Sequence, residues 1–122
     1  MSPLYALKLA AALLVLVFGI ISLIAPKRLA ASVGLGASEP NGTAEIRIGW
    51  GGLYTALGLG ALLLRLYPTA FIMLAFAFGG MALTRLLLGF ANRALFRNRV
   101  YAFALAFEIA CALIFVSESY LF

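Results

Sequence analysis

The chain has no histidine, no aspartate and a single cysteine, Cys111, among 122 residues. Zinc, haem and iron–sulfur sites thereby lose their usual ligands, and no intrachain disulfide can form. The acid–base set open to an enzyme shrinks to four glutamates. Ser117 and Ser119 flank only Glu118, and no histidine exists to activate either hydroxyl. We therefore expect no metal, no cofactor and no catalysis. Charge is scarce as well, at 11% of residues against about 25% in soluble domains.

What fills the chain is apolar. It is 66% hydrophobic, with a mean hydropathy of +1.13. About 120 residues cannot enclose that much apolar surface, so lipid is the expected solvent for most of it. Net charge is +5, but the basic residues flank apolar runs instead of building a soluble basic face. That pattern fits orientation in a membrane better than a phosphate footprint, and no nucleic-acid partner is expected.

Four runs are long enough to span a bilayer core of about 30 Å: residues 4–25, 46–67, 69–90 and 100–122. The first has an apolar core of about 17 residues, longer than a cleaved leader usually carries. Only Lys8 charges its N-terminal part, so it reads as a retained helix. The expected fold is an all-α membrane protein, an antiparallel four-transmembrane-helix bundle forming one domain over 1–122.

Loop charge sets the expected orientation. Lys27 and Arg28 follow span one, and Arg93, Arg97 and Arg99 follow span three; the opposite side has Lys8 and Arg65. The richer side is cytoplasmic by the positive-inside rule, which leaves both termini outside. Tyr5, Tyr67, Tyr120 and Phe122 would then form an outer aromatic belt, with Trp50 and Tyr101 nearer the inner one. Residues 27–37 read as a short interfacial helix with Leu29 and Val33 on one face. Pro40-Asn41-Gly42 reads as a turn, and Pro68 as the first turn of span three. Each half runs apolar helix, basic loop, then helix bearing a glutamate, a pattern shared by internal repeats and by any four-span chain with basic loops.

Small residues recur at helical spacing. Gly49, Gly52, Ala56 and Gly60 line span two, Ala102, Ala106 and Ala110 line span four, and Gly79-Gly80 sits in span three. Such stripes let helices approach closely, and ordinary packing is their first reading. A groove walled by backbone is the second.

Charge at membrane depth is the strongest lead, because it is costly and commonly functional. At about 1.5 Å per residue, Arg85 lies roughly 8 Å and Glu108 roughly 12 Å from the basic side. Glu45 and Arg47 begin span two on that side, with Glu45 suited to a helix N-terminus. Arg85 can snorkel. Glu108 cannot, and alone and ionised it would cost about 3 kcal/mol. Arg85 is its expected partner and Arg47 the competitor. The cluster reads either as a structural clamp or as a polar pocket walled by Glu45, Arg47, Trp50, Tyr54, Arg85 and Glu108, with Thr84 and Asn92 as neighbours.

Three stretches carry a family resemblance: EIRIGWGGLYTALGLGALLL (45–64), GGMALTRLLLGF (79–90) and FEIACAL (107–113). Together they resemble the DUF4345-type small bacterial four-helix membrane proteins, whose function is unknown. The shared pattern is Glu-x-Arg leading into Gly-Gly, then Gly-Gly and an arginine in span three, then a glutamate in span four. Where that family carries an Asp-Gly turn in its third loop, this chain reads NRALFRNR. The resemblance implies a helical bundle in the bacterial inner membrane and supplies no activity.

Two functions compete. The first is a non-enzymatic membrane protein binding a lipid, a small amphipathic ligand or a protein partner at the inner-leaflet cluster. The second is a small proton-coupled exporter using Glu108. Membrane lipid is the expected partner in the first, and the small-residue faces leave room for a homodimer or a membrane-protein partner.

Overall fold

The computed structural model describes residues 3–32 and 40–117. Among the described residues every regular element is helical. Helix α1 (Pro3–Ile24) begins on a proline, whose missing N–H costs nothing at a helix start, and stops just before Pro26. Helix α2 (Pro26–Ser32) follows, then α3 (Pro40–Ile46), a π-helical turn (Arg47–Gly52) and α4 (Leu53–Leu63). Helix α5 (Pro68–Ala91), a 3-10 turn (Arg93–Arg97) and α6 (Arg99–Val116) complete the order.

Four helical stretches among the described residues are long and apolar enough to cross a membrane: Pro3–Ile24, Thr43–Leu63, Pro68–Ala91 and Arg99–Val116. Two sequence expectations change. Pro40-Asn41-Gly42 is not a turn but the opening of α3, because a proline with its fixed φ nucleates a first helical turn as readily as it bends a loop. Glu45 therefore sits one turn inside the helix instead of at its N-terminus. Of the segment 27–37 expected to form a short helix, residues 27–32 are helical within α2; Val33 and the rest of that segment lie outside the described residues. In the fourth span the helix closes at Val116, and Glu118, Ser119, Tyr120 and Phe122 likewise lie outside them.

The chain groups into two compact units: Met1–Lys8 with Arg65–Phe122, and Leu9–Leu64. In the first unit α5 and α6 run antiparallel, with phenylalanine rings between them. Phe71 stacks on Phe115 at 6.0 Å and 11°, while Phe78 meets Phe115 at 5.9 Å and Phe107 at 6.3 Å. Such pairs contribute about 0.5–1.5 kcal/mol each beyond area. Contacts of this kind hold helices together even where burial from water does not.

In the second unit α1 and the Thr43–Leu63 stretch also run antiparallel, but backbone meets backbone. A methyl on Gly19 would lie 2.3 Å from the Thr55 nitrogen, and one on Gly58 would lie 2.5 Å from the Leu16 nitrogen. A methyl on Gly51 would strike the Leu23 side chain at 2.6 Å. The close face is thus Gly51, Thr55 and Gly58. The anticipated stripe of Gly49, Gly52, Ala56 and Gly60 is not the packing face: Gly49 and Gly60 have open space where a methyl would go, and Ala56 is exposed. Ala102, Ala106 and Ala110 are exposed too, and Gly79 and Gly80 face open space. On α6 the buried side is Glu108, Cys111 and Phe115.

Candidate functional site

The site grows from the loop-side half of the α5–α6 pair. The connection between these helices is held at both ends by asparagines. Asn92 accepts from the Ala94 N–H through Oδ1 at 3.3 Å. Asn98 caps α6, accepting from Val100 and Tyr101 at 2.9 and 3.1 Å, a role its short amide suits. Phe96 folds back against Gly89, where a methyl would lie 2.2 Å from the ring. Its edges also meet Phe90 at 5.6 Å and Tyr101 at 6.3 Å.

This connection sets the register that brings Arg85 to Glu108. Arg85 Nε donates to Glu108 Oε1 at 2.7 Å, and its second terminal nitrogen donates to Oε2 at 3.0 Å. The fork matches the carboxylate, giving the stronger, geometrically specific form of ion pair. Glu108 is only 4% exposed, whereas the Arg85 side chain is 30% exposed. The carboxylate is thus the enclosed partner and the guanidinium reaches the surface. The Arg85 guanidinium also lies 5.1 Å from the Tyr101 ring centroid, a cation–π arrangement. The Tyr101 hydroxyl donates to the Arg85 carbonyl.

Over this pair runs a groove of about 400 Å³, lined by Gly80, Met81, Thr84, Arg85 and Leu88 of α5 and Tyr101 of α6. Gly80 keeps one wall free of side chain. Thr84 turns its hydroxyl back to the Gly80 carbonyl at 2.9 Å, leaving its methyl for the lining. Apolar walls over a guanidinium suit a molecule with both an apolar and a polar part.

The other expected site residues lie in the second unit. Arg47 donates its Nε to the Leu23 carbonyl at 3.2 Å. It is therefore a cation on the C-terminal end of α1, where the helix dipole favours one, and both Glu108 oxygens are held by Arg85 instead. Trp50 and Tyr54 pack on Phe18, with centroids 5.8 and 5.1 Å apart. Glu45 is exposed. The structure thus joins Arg85 with Glu108 and Trp50 with Tyr54. Thr84 lies in the groove, whereas Asn92 serves the connection. Of the aromatics expected in belts, Tyr5 is buried, with its ring edge-on to Phe71 and its hydroxyl on the Arg65 carbonyl at 3.4 Å. Tyr101 is likewise committed to Arg85.

Sequence reasoning missed Lys8. Its side chain is fully buried, donates to the Ser117 carbonyl where α6 ends, and lies 5.6 Å from the Phe71 centroid. Like Arg47, it places a cation on orphan carbonyls. The signal was present: a cation inside an apolar run raises the same question that Glu108 raised.

Comparison with known proteins finds no family model that matches the chain, no similar curated protein and no similar solved structure. The resemblance noted from sequence rests on its three motifs. Among the described residues no group of three or more His, Cys, Asp or Glu stands close enough to hold a metal.

Proposed function

We propose that the chain is a non-enzymatic integral membrane protein of the bacterial inner membrane that holds an amphipathic ligand in the Arg85–Tyr101 groove. The four apolar helices cross the bilayer, the two basic connections face the cytoplasm, and both termini face out. Arg85 then lies within the cytoplasmic leaflet, at the depth of lipid ester groups and upper acyl chains. The four-span architecture and the three motifs support placement with the DUF4345-type proteins.

One observation carries this reading. A forked, enclosed ion pair presents its guanidinium edge to an apolar groove, on a face where a purely structural pair would be better covered. The test is retention of lipid. Native mass spectrometry of the full chain released from phosphatidylcholine nanodiscs should show one lipid bound per chain. Met81→Trp, which fills the groove, should remove it. Retention unchanged by Met81→Trp would sink the proposal.

The exporter reading asks Glu108 to load and release protons. Both its oxygens are already engaged by Arg85, and a carboxylate committed to a fixed partner speaks against that role. Proton-driven dye uptake in vesicles, abolished by Glu108→Gln, would restore it.

A further inference from the structure

The groove opens beside the most basic stretch of the chain. Between Gly79 and Phe107 there are four arginines, Arg85, Arg93, Arg97 and Arg99, and no carboxylate. Arg93, Arg97 and Arg99 are all exposed. Basic residues beside an apolar run are by themselves only a signal of orientation. These three also stand on the turn that joins the two helices of the groove. Two asparagine caps fix its ends, and Phe96 wedges it onto Gly89. Leu88, at the groove's end, and Tyr101, on its wall, flank the same turn in sequence.

We propose that the occupant is an anionic phospholipid, its headgroup phosphate against Arg93, Arg97 and Arg99 and its upper chain along Met81, Thr84 and Leu88. This rests on the groove reading above and adds the class of lipid and the residues that select it. Opposite charge supplies the selection: a basic residue at a membrane surface favours anionic lipid about fivefold. A turn fixed in advance spends less ordering entropy when the headgroup arrives. The apolar walls explain why a lipid, and not a soluble phosphate ester, is the ligand.

The test uses the full chain in symmetric bilayers, so that insertion direction does not matter. Trp50→Phe removes the native indole, and Ala91→Trp places one beside the basic turn, outside the groove lining. Quenching by brominated phosphatidylglycerol is then compared with quenching by brominated phosphatidylcholine. Half-quenching should need at least about fivefold less of the anionic lipid. Arg93→Gln, Arg97→Gln and Arg99→Gln combined should bring the two lipids level. If helicity shows that this triple variant has not folded, Arg97→Gln alone should reduce the preference by about fivefold. Equal quenching by the two lipids in the parent, or a preference untouched by the arginine changes, overturns the proposal. Displacement by soluble glycerol phosphate also overturns it, in favour of a free phosphate ester. If these tests fail while Met81→Trp still abolishes retained phosphatidylcholine, the groove stands and the selectivity falls. If Met81→Trp has no effect either, both fall.

Discussion

The α5–α6 pair and the pair formed by α1 with Thr43–Leu63 share a direction of packing and little else. In the second, glycines bring backbones into contact, and a methyl on Gly19 or Gly58 would meet backbone atoms within 2.5 Å. In the first, phenylalanine rings and a forked ion pair stand between the helices. Backbone contact leaves no room for a ligand. Helices spaced by large side chains leave gaps wherever those side chains run out, and the groove over Arg85 is such a gap. Close packing falls to one helix pair and the open groove to the other. One device is used twice, a cation on a helix C-terminus: Lys8 on α6 and Arg47 on α1.

The comparison breaks most readily at the ion pair. Glu108→Gln should cost about 3 kcal/mol, near the lower end for a broken buried pair, because the partly exposed Arg85 can turn toward the surface. Replacing both residues, Arg85→Met with Glu108→Leu, should restore most of that stability; unfolding titrations in mixed micelles would measure both. Next, Gly58→Ala should destabilise by about 1–3 kcal/mol through overpacking against immovable backbone. Gly60→Ala, a few residues along the same helix but facing open space, should be neutral or gain up to about 1 kcal/mol in helix propensity. Thermal midpoints of the two variants that fell together would erase the distinction between the close face and the exposed stripe. Lys8→Met keeps the stem of the side chain but loses a charged hydrogen bond, for about 1.5–3 kcal/mol. Hydrogen exchange should then quicken selectively at the end of α6. Tyr101→Phe should have the smallest effect, about 1 kcal/mol, with the Arg85 region loosened and the second unit untouched.

Much of the fold was legible because apolar length and flanking charge are coarse signals that packing does not alter. Three of the four spans begin within a residue or so of where their runs of apolar residues place them. The second began early because Pro40 reads equally as turn or helix start. The Arg85–Glu108 pair was legible for a physical reason: a buried carboxylate must find a cation, and a short connection brings α5 and α6 alongside. The packing faces were not. Span two carries small residues on two sides, Gly51 with Gly58 and Gly49 with Gly60, and spacing cannot say which side meets α1. Lys8 was hidden because a cation near a helix end is expected to reach for water. The groove was invisible in sequence, being the absence of side chain at Gly80 combined with the bend of Tyr101 toward the Arg85 carbonyl.

On the proposed reading, lipid occupies the first unit's groove and merely passes over the second unit's smooth face. Both surfaces carry exposed residues, so exposure alone would treat them alike. A diazirine phosphatidylcholine, photoactivated in bilayers with the full chain and mapped by peptide mass spectrometry, separates the two directly. Label should concentrate on Met81, Thr84 and Leu88, be lost on filling the groove with Met81→Trp, and be sparse on Gly49, Gly52, Ala56 and Gly60. Label spread evenly over both faces, or unchanged by Met81→Trp, would contradict that reading.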